Sequence, residues 1–231
     1  MARLFAEFIP GAEANSPLVL QQLRQEILAL NGKPSIYQIL RFTELSAQFR
    51  ATPPTPESLL QLYLARLDVV LRDRVSEVAS GRVSPDTFVI AGARPLLEEL
   101  HRRGVKLYIL SGTAEPDVRR EAELLQLKPF FGECIHGSTP GQGFSKKDVI
   151  DRILHEERIL GSQLLSFGDG PVEIEFTKAV GGRAVGVASD EEQNGSGVID
   201  PDKRGHLLRA GADAIIPDYR NLTWILDNFF A

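Results

Sequence analysis

The sequence predicts an α/β protein in which a mainly parallel sheet follows an all-helical domain. Residues 1–88 place apolar side chains at the helical spacing of three and four, without the alternation of a strand. From residue 89 onward, short apolar runs alternate with amphipathic helical segments, which is typical of strand–helix–strand units. We therefore expect two domains, a helical one at 1–88 and an α/β core at 89–231.

Two helix-start signals organise the helical domain. Ser16-Pro17 combines an N-cap residue with proline at the first helical position, and Thr55-Pro56 repeats this pattern. An apolar stripe follows each signal, and the stripes predict two amphipathic helices. The first contains Leu20, Leu23, Ile27 and Leu30, and the second contains Leu60, Leu64, Leu67, Leu71 and Val75.

Strands and helices alternate through the second domain. Five apolar segments predict strands, at 105–110, 133–137, 164–169, 184–189 and 214–218. Amphipathic segments predict helices at 92–104, 115–127, 145–157, 173–179 and 203–211. Functional groups in such a sheet gather at the carboxyl ends of its strands, so the residues that follow each predicted strand are the candidates for a site.

Three kinds of polar side chain stand near those strand ends. Ser111 follows the first predicted strand, Asp169 ends the third, and Lys146-Lys147 open the helix between them. Each has a local role available, as a turn, cap or surface residue. Together they offer a hydroxyl and an ammonium to a phosphate, and a carboxylate to a hard cation such as Mg²⁺.

These segments resemble a known family. The stretches "VKLYILSGT", "FSKKDVI" and "LLSFGDGPVEIE" are similar to motifs two, three and four of the haloacid dehalogenase (HAD) superfamily, and the resemblance covers about residues 89–230. It implies a Rossmann-like parallel sheet, with the helical first part as the cap that these enzymes insert after motif one. Most members are Mg²⁺-dependent phosphatases of small phosphorylated metabolites, so this is the activity the resemblance implies.

The resemblance also implies roles for the residues around motifs two and three. Ser111 would hydrogen-bond the transferring phosphoryl group, and the backbone amides of Gly112 and Thr113 would bind the substrate phosphate. Lys146, in preference to Lys147, would neutralise charge at the nucleophile and the phosphoryl group.

Motif four would supply the metal site. By resemblance, Asp169 holds Mg²⁺ directly or through water. Glu173 stands where the second acid of this motif falls, although it is a Glu in place of the usual Asp.

The first motif of the family, Asp-x-Asp-x-Thr/Val, supplies the nucleophile and the general acid, and its strand lies centrally in the sheet. The segment "MARLFAEFIPG" contains no Asp. The chain's sole Asp-x-Asp, Asp200-Pro201-Asp202, follows motif four and is followed by Arg204, so we reject it as motif one. We expect the central motif-one strand to be absent from this chain, and Met1 to be an internal residue of a longer, truncated protein.

Two other classes of function remain open. A non-catalytic HAD-like protein that binds phosphate or metal would keep the pocket without the nucleophile. A P-loop protein is disfavoured because Phe144 follows Gly143 where the lysine belongs.

Composition bounds the protein's partners and location. The net charge of −5 gives no indication of nucleic-acid or membrane binding, and oligomeric state is not indicated. The single Cys134 and the absence of a signal-peptide pattern predict a cytoplasmic protein.

Overall fold

Helices joined by tight turns form the first part of the protein, seen in a computed structural model that describes residues 1–11, 16–139 and 145–230. They are α1 (Ala2–Ala6), α2 (Pro17–Leu28), α3 (Ser35–Leu45) and α4 (Pro56–Ala79). Both predicted start signals are confirmed. Ser16 Oγ accepts the Val19 amide and Thr55 Oγ1 accepts the Ser58 amide, each at 3.3 Å.

Two stacked aromatic rings lie in the core of this helical part. The rings of Phe5 and Phe42 lie 4.3 Å apart and nearly parallel, and Leu59 packs with them. The second predicted stripe is buried less than this core, since Leu64 and Val75 are 43% and 42% exposed. These two positions of α4 therefore lie outside the helical core.

Parallel strands and covering helices form the second part. The strands are β1 (Ile109–Ala114), β2 (Ile135–Ser138), β3 (Leu165–Gly168), β4 (Arg183–Val187) and β5 (Ala214–Ile216). The helices are α5 (Ala93–Arg102), α6 (Glu115–Leu124), α7 (Lys128–Phe131), α8 (Lys146–Glu157), α9 (Pro171–Ala179), α10 (Pro201–Arg209) and α11 (Leu222–Phe229). Every strand pairing is parallel, as the alternation predicts.

The first strand differs from its predicted position at 105–110. The strand begins at Ile109, which pairs with Ile135, the first residue of β2. The Ile109 amide donates to the Cys134 carbonyl at 2.9 Å. The preceding Tyr108 instead turns its hydroxyl to Glu157 at the end of α8, at 2.7 Å. The predicted strand is therefore displaced along the chain, and Ser111, Gly112 and Thr113 lie within β1.

The strands divide into two separate sheets. One contains β1 and β2, and the other contains β3, β4 and β5 in that order. All residues of β3 are half-buried and β1 is similar, whereas β4 is buried along most of its length. Within the described residues, β1 and β3 thus each keep one edge without a neighbouring strand. No helix in the described part of the chain has the length and apolar character needed to cross a membrane.

We expect Phe42→Ala to lower the free energy of unfolding by about 3–5 kcal/mol, because it removes one ring of the buried stack and leaves a cavity. Urea unfolding at equilibrium measures this. The control is Tyr37→Ala on the same helix, where the ring is 50% exposed and the loss should be below about 1 kcal/mol. Equal losses would contradict the assignment of Phe42 to the core.

Candidate functional site at the carboxyl ends of β1 and β3

The hydroxyl of Ser111 lies within β1. Its Oγ accepts the amide of Thr113 at 3.1 Å, Ser111 is half-buried, and Thr113 is exposed. Because the oxygen already accepts a hydrogen bond from its own strand, the hydroxyl hydrogen is left to donate to a ligand.

Burial distinguishes the two lysines that open α8. Lys146 is 7% exposed, and its Nζ lies 2.9 Å from Glu173 Oε2. Lys147 is exposed and pairs with Asp151 on its own helix at 2.6 Å. Lys146 is therefore the ammonium that joins the strand-end residues, while Lys147 forms an ordinary surface pair.

Glu173 serves two local partners. Its Oε1 accepts the Gly170 amide at 3.1 Å at the start of α9, and its Oε2 binds Lys146. The side chain folds back over β3, so closely that a Cβ on Gly168 would lie 2.2 Å from Glu173 Cγ. This carboxylate thus holds Lys146 and the helix start in one arrangement.

Asp169 follows β3 and is exposed to solvent. Partial desolvation by the surrounding protein is the main cause that raises the pKa of its carboxyl, and the negative charge of Glu173 adds to it. The positive charges of Lys203 and Lys146 oppose this rise. Because the residue keeps contact with solvent, its desolvation is partial. The carboxylate remains accessible to a ligand that approaches the carboxyl ends of the strands.

These acids fit a magnesium ion held mainly by water and substrate oxygens. Among the described residues, no group of three or more His, Cys, Asp or Glu side chains gathers as a metal cage. Mg²⁺ commonly uses only one or two protein carboxylates beside phosphate and water, and Asp169 meets that requirement. Each Glu173 oxygen already accepts one hydrogen bond, from Gly170 or Lys146, and keeps one further lone pair.

A turn from the helical part covers the site, which the sequence did not predict. Gly32 has φ +89°, and a Cβ there would lie 2.6 Å from Glu173 Oε2 and 3.4 Å from Lys146 Nζ. A Cβ on Gly170 would meet the Asn31 carbonyl oxygen at 2.6 Å, so the backbones are in close contact. Asn-Gly is a readable turn signal, but it does not indicate which surface the turn contacts.

Lys203 is a second buried ammonium that sequence reasoning missed. It is 2% exposed, and its Nζ donates to Ser189 O at 3.2 Å and Ser189 Oγ at 3.3 Å. It also pairs with Glu191 at 2.7 Å. The ammonium therefore ties α10 to the loop after β4, next to the strand that bears Asp169. A lysine in a helix start carries no sequence signal for burial.

The P-loop alternative depends on residues 140–144, including Gly143 and Phe144, which lie outside the described part of the chain.

Comparison with known proteins gives one family match and several structural likenesses. The family of haloacid dehalogenase-like hydrolases matches residues 7–181. A conserved haloacid dehalogenase-like protein of unknown function from Agrobacterium tumefaciens is 14% identical with a TM-score of 0.64, covering 99% of this chain and 92% of that one. A HAD family hydrolase from Deinococcus radiodurans, with bound phosphate and sodium, is 18% identical with a TM-score of 0.61, covering 100% and 90%.

Two further similarities are to a predicted phosphatase and to a protein kinase. A predicted phosphoglycolate phosphatase from Haemophilus somnus is 12% identical with a TM-score of 0.59, covering 97% of this chain and 91% of that one. At such identities the structural likenesses show the fold alone. The tyrosine-protein kinase PtkA of Mycobacterium tuberculosis is 29% identical over 131 residues, which are 56% of this chain. The chain spans 44% of the length of that curated relative.

Gly32→Ala should destabilise the protein more than Gly81→Ala. Both glycines have positive φ, +89° and +71°, so both substitutions carry a backbone cost of about 1 kcal/mol. Only at position 32 does the new methyl group also meet Glu173, Val172 and Lys146, whereas position 81 is open. We expect a further loss of about 1–2 kcal/mol at Gly32 in urea unfolding. Equal losses would contradict the close packing of the turn.

Proposed function

Because the chain belongs to the haloacid dehalogenase-like hydrolase family, we propose that it is a Mg²⁺-dependent phosphatase of a small phosphorylated metabolite. The observation that carries the proposal is the placement of Lys146. It is a buried ammonium at the start of α8, paired with Glu173 and close enough to Asp169 for its charge to act on that carboxyl. A lysine buried beside two acids is a candidate for a functional residue. Its ammonium supplies the positive charge that a transferring phosphoryl group requires.

The substrate phosphate would lie between the carboxyl ends of β1 and β3. There, the Ser111 hydroxyl and the amides of Gly112 and Thr113 would donate to its oxygens, and Lys146 would neutralise its charge. Asp169 would hold the magnesium ion, with Glu173 beside it. When bound, the ion supplies charge neutralisation to the phosphate oxygens.

The nucleophile would come from an Asp-x-Asp strand lying between β1 and β3. The open edge on each of these half-buried strands is the structural support for this placement. The first Asp would attack phosphorus and form an aspartyl phosphate as the bond to the ester oxygen breaks. The second would protonate the departing alcohol, and water would then hydrolyse the acyl phosphate to release phosphate.

Location and partners are part of the same proposal. The resemblance to the family favours a small metabolite as the partner, and the net charge of −5 gives no indication of nucleic-acid or membrane binding. The single Cys134 favours the reducing cytoplasm.

The alternative is a non-catalytic protein of the same family that binds phosphate or metal and regulates a partner. It would keep Ser111, Lys146 and Asp169 but would lack the Asp-x-Asp strand in its native form. Mass spectrometry of the amino-terminal peptides of the native protein separates the two, because only the phosphatase needs a peptide with that strand.

In a form that contains the strand, we expect Asp169→Asn to lower Mg²⁺-dependent phosphate release by about 100-fold or more, the scale of losing one preorganised charged group. Phosphate release from a panel of small phosphate esters measures this. The control is Asp151→Asn, an exposed acid whose partner is Lys147, which should leave release unchanged.

Turnover by Asp169→Asn equal to that of the unaltered protein would remove Asp169 from the site. The 231-residue chain by itself should form no acyl phosphate, and strong release from it would contradict the need for the Asp-x-Asp strand.

A further inference from the structure

The sole Asp-x-Asp of the sequence occupies the first turn of α10. Asp200 caps this helix, since its Oδ1 accepts the amides of Asp202 at 2.9 Å and Lys203 at 3.0 Å. The cap uses one oxygen of Asp200 and none of the Asp202 carboxylate. The remaining oxygens of this acidic pair, Asp200 and Asp202, face the helical part of the protein.

Helix α2 supplies the partners of the acidic pair. The Arg24 guanidinium donates to Asp200 Oδ2, and its Nε lies 3.6 Å from Asp202 Oδ2. The neighbouring Gln25 donates to Asp202 Oδ1 and meets His206 Nε2 at 2.9 Å. A single cation thus faces two carboxylates across the boundary between the helical and α/β parts, and Asp200 is almost fully buried.

The same helix leads directly into the turn that covers the site. Helix α2 ends at Leu28, and residues 31–33 then pack on Gly112, Gly170 and the Lys146–Glu173 pair. At about 1.5 Å per residue, Arg24 stands only about 10 Å along the chain from the turn. A helix held at Arg24 therefore restricts how far the turn can move.

We propose that Arg24 and the acidic pair position the 31–33 turn over the candidate site. The contact is geometrically suited to this role, because Asp200 and Asp202 are themselves fixed by the start of α10. Lys203, one residue further on, ties the same helix turn to the loop after β4. Helix α10 thus contacts both helix α2 of the helical part and the α/β core near Asp169.

Arg24, Asp200 and Asp202 are positioning residues, since none of them touches the site residues. The significance of this contact for turnover rests on the proposed function. The position of the turn does not, and it can be measured in protein without any phosphatase activity.

The chain contains an internal probe of the turn. Lys146 lies under Gly32 and the adjacent Lys147 is exposed, so the two lysines report covered and open positions in the same helix. Reductive methylation of the folded protein, followed by peptide mass spectrometry, measures the modification rate of each ammonium group. In the unaltered protein Lys146 should react much more slowly than Lys147.

Arg24→Ala should raise the modification rate of Lys146 by about 1.5-fold to fivefold, the range expected from losing a partly exposed ion pair, with Lys147 unchanged. The matched control is Arg41→Ala. Its side chain is 40% exposed against 42% for Arg24, but it pairs within the helical part, with Glu26 and Glu44. A folded Arg24→Ala protein in which Lys146 reacts as slowly as before would overturn the proposal.

Asp202→Asn provides a second and milder route, because it keeps the backbone start of α10 and the Asp200 cap. It should also raise the Lys146 rate, and the double variant with Arg24→Ala should exceed the larger single effect only slightly. Fully additive effects would show independent sites and contradict the pairing. If the Lys146 and Lys147 modification rates change as expected but no form of the protein releases phosphate, the positioning proposal is supported. Only the proposed function is then contradicted.

Discussion

The buried ion pair between Lys146 and Glu173 is the interaction on which the arrangement of the site depends. Removing an ammonium and a carboxylate from water is costly unless the two charges meet and their remaining hydrogen bonds are satisfied. Glu173 meets this condition by also accepting the Gly170 amide, so the ends of α8, α9 and β3 are held together. The close packing of Gly32 on this pair extends the same constraint into the helical part.

The division of the strands into two sheets has a direct consequence for function. The candidate residues lie within β1 and directly after β3, so they belong to strands of different sheets. Unpaired edges of parallel strands favour the addition of another strand, because each exposed amide and carbonyl otherwise depends on water. The open edges of β1 and β3 are therefore where the proposed catalytic strand would bring its carboxylates to phosphate.

The Asp-x-Asp motif at the start of helix α10 has a structural role in this protein. Asp200-Pro201-Asp202 has the composition of a nucleophile motif but lies at a helix start, where a carboxylate is favoured as a cap. Its unused oxygens then meet Arg24 of a distant helix. Rejecting it as a nucleophile from its place in the chain agrees with this geometry, and its contact with α2 gives it a structural role.

Local chemistry alone determined much of this protein. The caps at Ser16 and Thr55, the parallel strand–helix order and the strand-end residues follow from short-range pattern, because a cap or a period needs only nearby residues. Tertiary structure decided where β1 begins, since a strand exists only where a neighbour pairs with it. It also decided the burial of Lys203 and the contacts of Gly32 and Arg24, because these join residues far apart in sequence whose meeting no local pattern encodes.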